Sequence, residues 1–454
     1  MKKAILLTTL LFSLFLSNAQ WQVVTQDIGN GVSARTDIEI TSDGTIYIAY
    51  LSYGGSAYYG KVKKYTGSDW EMVGGSIFEM TSFWRFDLEI DSDGTLYIAY
   101  NDESTGERKM SVSKFTDAEW ELVGSQGFSD GEIQFPQLAF DDNNTPYVVY
   151  RDFANSHGAT VQKFNGSDWE LVGEPGFTTG GAWCTSIILD QNNTPYVAYQ
   201  DWTNGQKISV NKFIDEQWET VGSPGFSIGQ AWTTDIKVDA NNILYVIYND
   251  QGDNDNSYLK KWNGLSWETV GGESVSDNAG LDANFDFDSE NDVYVAFQDY
   301  NVSQAPASVK KLVDNNWEYL GEAGFAATNC RYTSIAIDDD GSVFISYVEM
   351  YNGQTLTVAE FPQEITDIAT LLFSNFMVYP NPSSGIINIQ APSGKHSRFS
   401  LKVIDILGKT VLKTELHYRP KSPLTINLSG FEKGIYIIQL TAGVDNYSEK
   451  VVIQ

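Results

Sequence analysis

Five aspartates recur at one place in a repeating pattern: Asp102, Asp152, Asp201, Asp250 and Asp299, with Glu349 as a counterpart in the last copy. Each closes a short apolar run and opens a polar loop. Carboxylates placed there would accept hydrogen bonds from sugar hydroxyls, and two within reach of each other would suffice for glycoside cleavage. A second set is aromatic: Trp84, Phe135, Trp183, Trp232 and Tyr332. Aromatic faces stack on sugar rings, so acids and rings around one concave mouth would make a platform for a glycan or a peptide. The matching segments GGAWCTS and GQAWTTD single out Trp183 and Trp232 as contact residues. The same residues also admit a structural reading, because a feature present in nearly every copy serves the copy. An Asp can hold the N–H groups of its own turn, and a ring can fill the gap between copies.

Other chemistry is thinly supplied. The histidines are His157, His396 and His417, too scattered for a His-based triad or a zinc cluster. Arg35, Arg85, Arg108, Arg151 and Arg331 are spread along the chain and do not read as an arginine cluster for an anionic sugar. The turns SDG at Ser92–Gly94 and DDDG at Asp338–Gly341 begin like calcium loops. Their second halves become apolar strands without further ligands, so turn chemistry explains them. No Gly-rich phosphate motif occurs, and neither a metal nor a cofactor is expected. Cys184 and Cys330 stand at non-equivalent places in different repeats and are expected as two free, buried thiols.

The elements that must position these residues are visible as a repeat. A Trp opens a similar segment seven times, at Trp21, Trp70, Trp120, Trp169, Trp218, Trp267 and Trp317, at spacings of 49 or 50 residues. WEMVG at Trp70, WELVG at Trp120 and Trp169, WETVG at Trp218 and Trp267 and WEYLG at Trp317 are close copies, whereas WQVV at Trp21 is degenerate. After each Trp segment come a Gly-rich stretch, an apolar strand such as SIILD to Asp190, and a turn of Gly, Asn or Asp. A second strand such as PYVVY to Tyr150, a polar loop and a third strand such as SVSKF to Phe115 complete the unit. The second strand is apolar on both faces, as a strand packed between two layers must be.

Seven such units predict an all-β chain built on a seven-bladed β-propeller with four-stranded blades. With the strands lettered a to d and Trp opening d, the chain starts with a lone d strand at Trp21–Val24 and ends with a blade that lacks one. The N-terminal strand is expected to close the last blade and leave no open edge. The repeated Trp is expected between blades. In such a ring the b–c and d–a loops share one face, which brings the aspartate and aromatic sets together.

Around the propeller the chain changes character. Residues 1–19 have a basic start at Lys2 and Lys3, an apolar stretch and small residues at Ser17–Ala19, the signature of a secretory signal peptide. The propeller spans 20–361, and 362–376 form a linker without repeat character. No other segment is long and apolar enough for a transmembrane helix. The formal net charge is −30; the signal segment contributes +2 and residues 377–454 contribute +4, leaving −36 on residues 20–376. A body this acidic repels nucleic acid and anionic lipid and argues against both as partners.

Residues 377–454 open with MVYPNPSSG and continue through IDILGKTV and GIYIIQL to KVVIQ. Their alternation reads as a small β-sandwich of about seven strands. The four motifs, in this order, resemble the type A C-terminal sorting domain of the type IX secretion system of Bacteroidetes-type bacteria. The resemblance implies export across the outer membrane by that machinery, with the cargo secreted or held at the cell surface. It carries the family's motif roles onto Tyr379, Pro380, Asn381, Pro382, Gly385, Gly408 and Gly434. The sequence as a whole therefore favours a secreted or surface binding and adhesion protein, non-catalytic, whose propeller recognises a glycan or an extracellular protein. The alternative is a carbohydrate-active hydrolase or lyase drawing its acids from the aspartate set.

Overall fold

The computed structural model describes residues 20–26, 28, 33–81, 85–326, 328–351, 353–362, 377–390, 397–406, 409–418, 424–442 and 445–454. The expected signal segment, Trp84, Gly408 and residues 363–376 of the expected linker lie outside the described residues.

Seven antiparallel sheets follow one another in chain order, each with strands a, b, c and d hydrogen-bonded in sequence. Blade 3 is representative: Ile133–Phe140, Pro146–Asp152, Gly158–Phe164 and Trp169–Leu171. Blade 1 adds a short fifth strand, Phe78–Met80, on its strand c. Blade 7 takes strands a to c from Cys330–Ile337, Val343–Glu349 and Thr355–Phe361. Its outermost strand is Gln22–Gln26, with Gln22 opposite Glu360 and Gln26 opposite Thr357. The ring therefore closes as expected. The b strands Leu96–Asp102, Pro146–Asp152, Val293–Asp299 and Val343–Glu349 are buried along their whole length, because both faces of a blade are covered by its neighbours.

The WExVG segments are the mortar between blades. The Trp120 indole N–H donates to the Val73 carbonyl of the preceding blade at 2.8 Å. Trp169, Trp218, Trp267 and Trp317 repeat the bond to Val123, Val172, Val221 and Val270. The glycine after each acceptor lies at φ between 69° and 77° at Gly74, Gly124, Gly173, Gly222, Gly271 and Gly321. At Gly173 a Cβ would stand 2.9 Å from Cδ1 of Trp218, so the ring of the next blade requires the absence of a side chain.

The a–b turns are fixed by one carboxylate each. Asp91, Asp141, Asp190, Asp239, Asp288 and Asp338 accept, through Oδ1, the N–H groups two and four residues on, at 2.8–3.0 Å. In the two turns that begin like calcium loops, Ser92–Gly94 and Asp338–Gly341, the oxygens of Asp91 and Asp338 thus serve the turn.

The C-terminal domain has a three-stranded sheet (Met377–Tyr379, Ile386–Gln390, Leu424–Asn427) and a four-stranded sheet (Ser397–Asp405, Thr410–Tyr418, Gly434–Ala442, Asp445–Ile453). Ile387, Ile389 and Ile426 of the first meet Leu401, Val403, Ile438 and Val451 of the second in one core. In the opening motif, Asn381 donates to the Lys450 carbonyl at 2.6 Å and accepts the Val452 N–H at 3.0 Å. That side chain pins the start of the domain to its last strand. Gly385 lies at φ 112° with the Ser429 backbone only 2.6 Å from where a Cβ would be. Tyr379, Pro380 and Pro382 are exposed, and Gly434 begins its strand without a close neighbour.

Candidate ligand site at one mouth of the channel

Strand a of every blade lines the central channel. Alternate residues of a strand share a face, so seven a strands should present stacked rings of side chains to the channel. One departure sets the top ring. Arg35, Phe135, Cys184, Thr233, Asp282 and Tyr332 occupy equivalent positions in six blades, and all have a left-handed backbone with φ between 49° and 57°. In each of these blades the pairing of strands a and b shifts register there. Such a bulge re-aims a side chain at a strand end. With Arg85 in blade 2, these residues line a cavity of about 180 Å³.

Below this mouth lie two polar rings. In the middle ring, Asp37 accepts the N–H of Leu88 at 2.9 Å and Asp87 that of Leu138 at 2.8 Å. Gln137 accepts from Ile187 and Ser186 from Ile236. Ser334 accepts from Ile38 while donating to Asp37. Each bond reaches into the following blade. The lower ring holds Glu39, Glu89, Lys237 and Asp286, with Lys237 3.1 Å from Asp286.

Burial pushes the Asp37 carboxyl up to about 6, and drives Asp87, Glu39 and Glu89 well above the ordinary carboxylate range, reinforced by their mutual repulsion. Asp235 is raised by burial too. Asp286, Asp235 and Glu39 hold Lys237 charged against the opposing cost of its burial.

The mouth itself carries rings and guanidinium groups in contact. Arg35 lies over the Tyr332 ring at 4.5 Å and Arg85 over Phe135 at 5.4 Å. Phe135 meets Trp183 at 5.6 Å, and Arg151 covers Trp183 at 4.4 Å. Trp183 stacks on Trp202 at 5.9 Å and meets Trp232 edge-on at 6.4 Å. Trp202 and Trp232 are 48% and 37% exposed, which leaves ring surface open to a ligand.

The expected site residues divide. Asp102, Asp152, Asp201, Asp250 and Asp299 are buried, the placement that the structural reading of this set anticipates. Asp102, Asp152, Asp201 and Asp299 each accept an N–H from their own b–c turn and a hydroxyl from strand c: Ser111, Thr160, Ser209 and Ser308 at 2.8–2.9 Å. Those hydroxyls in turn accept the N–H of Gly127, Gly176, Gly225 and Gly324 in the following d–a loop. Asp250 instead takes the N–H groups of Ile228, Gly229 and Gly252. The set ties the b–c turn, strand c and the following d–a loop together.

The aromatic set falls in two registers. Phe135 and Tyr332 sit on the bulge, while Trp183 and Trp232 stand one residue earlier. Trp183 is half-buried between Arg151 and Trp202, so of the two favoured tryptophans Trp232 is the exposed one. Sequence reasoning missed Trp202, although it breaks the pattern as the residue after Asp201. It also missed Arg35 and Arg85 as ring partners in adjacent blades. Cys184 and Cys330 are both free and buried, as expected.

Residues 377–454 match the family described as the secretion system C-terminal sorting domain, and that part of the chain is such a domain. Comparison with curated proteins yields no match. Among solved structures, the chain is similar to a polysaccharide lyase described as a PL25 ulvan lyase bound to -[GlcA(1-4)Rha3S]-, at 12% identity and a TM-score of 0.50 over 74% of this chain and 94% of that one. It is also similar to the Aleuria aurantia lectin in complex with Fucalpha1-6GlcNAc, at 12% identity and a TM-score of 0.43 over 64% and 96%. A protein of unknown function from Dyadobacter fermentans aligns at 12% identity and a TM-score of 0.44 over 75% and 98%. At such identities the likeness is one of fold.

Proposed function

We propose that the chain is a secreted or cell-surface glycan-recognition protein of a Bacteroidetes-type bacterium. An N-terminal signal peptide starts its export, the type IX machinery completes it by reading the C-terminal domain, and the propeller binds sugar at the channel mouth. One observation carries the binding reading. Among the described residues of the propeller, all the exposed aromatic side chains lie on the face of the b–c and d–a loops: Tyr53, Trp202, Trp232, Tyr300 and Tyr351. Open rings gathered on one face exceed what the blades need for packing and suit stacking on sugar.

A binding role fits better than cleavage. Glycoside cleavage needs two carboxyl groups at the bond. The aspartates expected to supply them are buried in loop hydrogen bonds, the mouth ring holds Asp282, which accepts the Tyr332 N–H at 3.0 Å, and deeper in the cavity Asp37 and Asp87 accept the N–H groups of Leu88 and Leu138 in the next blade. The resemblance in fold to a polysaccharide lyase and a lectin supports the same class of ligand.

The test is a glycan array probed with the full secreted chain and with Trp202→Ala plus Trp232→Ala. Retained melting temperature with at least tenfold weaker binding is the expected result. Unchanged binding in the double variant would sink the assignment of the site.

A further inference from the structure

The arginines of the propeller share the face of the rings. Arg331 of blade 7, Arg35 of blade 1, Arg85 and Arg108 of blade 2 and Arg151 of blade 3 all lie on this same face, in consecutive blades. The rest of the body is strongly acidic, so carboxylate partners were available in number. Arg108 has one, Glu132. Arg35, Arg85 and Arg151 form no salt bridge among the described residues; their neighbours are the rings of Tyr332, Phe135, Phe153 and Trp183 and the Gln134 amide.

Two features of this arrangement work against stability. The Nε atoms of Arg35, Arg85 and Arg151 and the indole nitrogen of Trp183 are buried without a hydrogen-bond partner among the described residues, and an unmatched buried donor is destabilising. Arg35 and Arg85 are like charges in adjacent blades; burial first, then Arg85, lowers Arg35 to about 10. Arg151 is only 6% exposed. Groups held at such cost mark a place where a ligand supplies what is missing.

We infer that the mouth selects an anionic sugar unit, its carboxylate or sulfate held by Arg35 and Arg85 and the adjoining sugar units lying along Phe135, Trp183 and Trp232. The guanidinium fork matches a carboxylate or sulfate in two hydrogen bonds. Asp282 in blade 6 attracts Arg35 electrostatically without forming a salt bridge, so it offsets part of that charge and repels an anion toward Arg85. The acidic body discriminates further. Nucleic acid carries a charge about every 3.4 Å per strand and is repelled along its length, whereas an acidic polysaccharide with spaced anions offers one to the mouth and neutral rings to the aromatic arc. This inference rests on the glycan reading above and adds the charge of the ligand.

The experiment is calorimetry of the full secreted chain with three oligosaccharides of equal length: an oligogalacturonate, a sulfated galactan fragment and its unsulfated counterpart. Variants are Arg35→Gln, Arg85→Gln, Arg35→Lys and Trp232→Ala, each with a thermal melt. At least one acidic ligand should bind tenfold or more tightly than the neutral one, and the two ligands report whether carboxylate or sulfate is preferred. Each Arg→Gln change should weaken acidic binding at least tenfold, weaken neutral binding by much less, and leave the melting temperature unchanged or raised. Arg35→Lys should recover part of the loss. Equal binding of neutral and acidic ligands, or acidic binding indifferent to both Arg→Gln changes, overturns the inference. Neutral binding that then falls with Trp232→Ala would leave the glycan reading standing alone. No binding of any of the three overturns the inference and, with an empty array, the glycan reading as well.

Discussion

The indole N–H of Trp21 donates to the carbonyl oxygen of Leu320 at 2.7 Å, joining residues 299 positions apart. Its ring stacks on Phe325 at 4.0 Å. This is the interblade contact of the whole ring, made here by a strand from the other end of the propeller. One blade boundary departs. Where the other copies have Val-Gly or, in the last, Leu320-Gly321, the first has Val24-Thr25, and the Trp70 indole N–H, which should donate there, has no partner among the described residues. Trp21→Phe is therefore expected to cost about 1 kcal/mol, Trp21→Ala about 3 kcal/mol, and Trp70→Phe close to nothing from its hydrogen bond. Urea midpoints of the three variants at constant m-value check the order.

The buried aspartates make an opposite prediction to the mouth residues. Asp201→Ala removes the acceptor of the Ser209 hydroxyl and of the Thr203 N–H. It should destabilise by about 2–3 kcal/mol while leaving ligand affinity within twofold. A large affinity loss in a variant that still melts normally would return Asp201 to the ligand.

The channel acids set a pH dependence of unusual sign. Asp37, Asp87, Glu39 and Glu89 have folded-state values raised above those of the unfolded chain, chiefly by burial. The folded state then binds more protons than the unfolded one at mildly acid pH, so their contribution is full below the ordinary carboxylate range and is lost as pH rises through the raised values. The melting temperature should fall from about pH 5 to pH 8 through these groups. Glu39→Gln with Glu89→Gln should flatten the slope, and Lys237→Met should steepen it by removing the cation that opposes the rise of Asp37, Glu39 and Glu89. A melting series across this range in the three proteins decides.

In the C-terminal domain, Gly385→Ala would force a Cβ against the Ser429 backbone at a φ that side chains avoid. A loss of about 2 kcal/mol or more is expected. The readout is the fraction of chain reaching the medium or cell surface, which should drop relative to an exposed control outside the four motifs such as Glu432→Ala.

Much of this was legible in the residues. Seven tryptophans at near-constant spacing carried the blade number, and the degenerate first copy carried the closure. Even the duty of the aspartates had a signal, since Ser111, Thr160, Ser209 and Ser308 recur in strand c eight or nine residues after them. What could not be read was register at the mouth. Phe135 and Trp183 look equivalent in sequence, yet a single left-handed residue moves one onto the ring and leaves the other beside it. The arginine cluster was invisible for a related reason. Arg331 and Arg35 are far apart in the chain and become neighbours only when blade 7 meets blade 1.

The bulge at the head of strand a also separates two histories within one molecule. Elsewhere the seven units are near-copies, because each must dock on the next. At this position they read Arg, Arg, Phe, Cys, Thr, Asp and Tyr in blades 1 to 7, and all seven residues line the mouth cavity. Duplication thus supplied a ring of seven sockets, and point substitution could diversify them one at a time without disturbing the scaffold. Exchange of single residues there, such as Thr233 or Cys184, is a route by which the same ring acquires a different ligand.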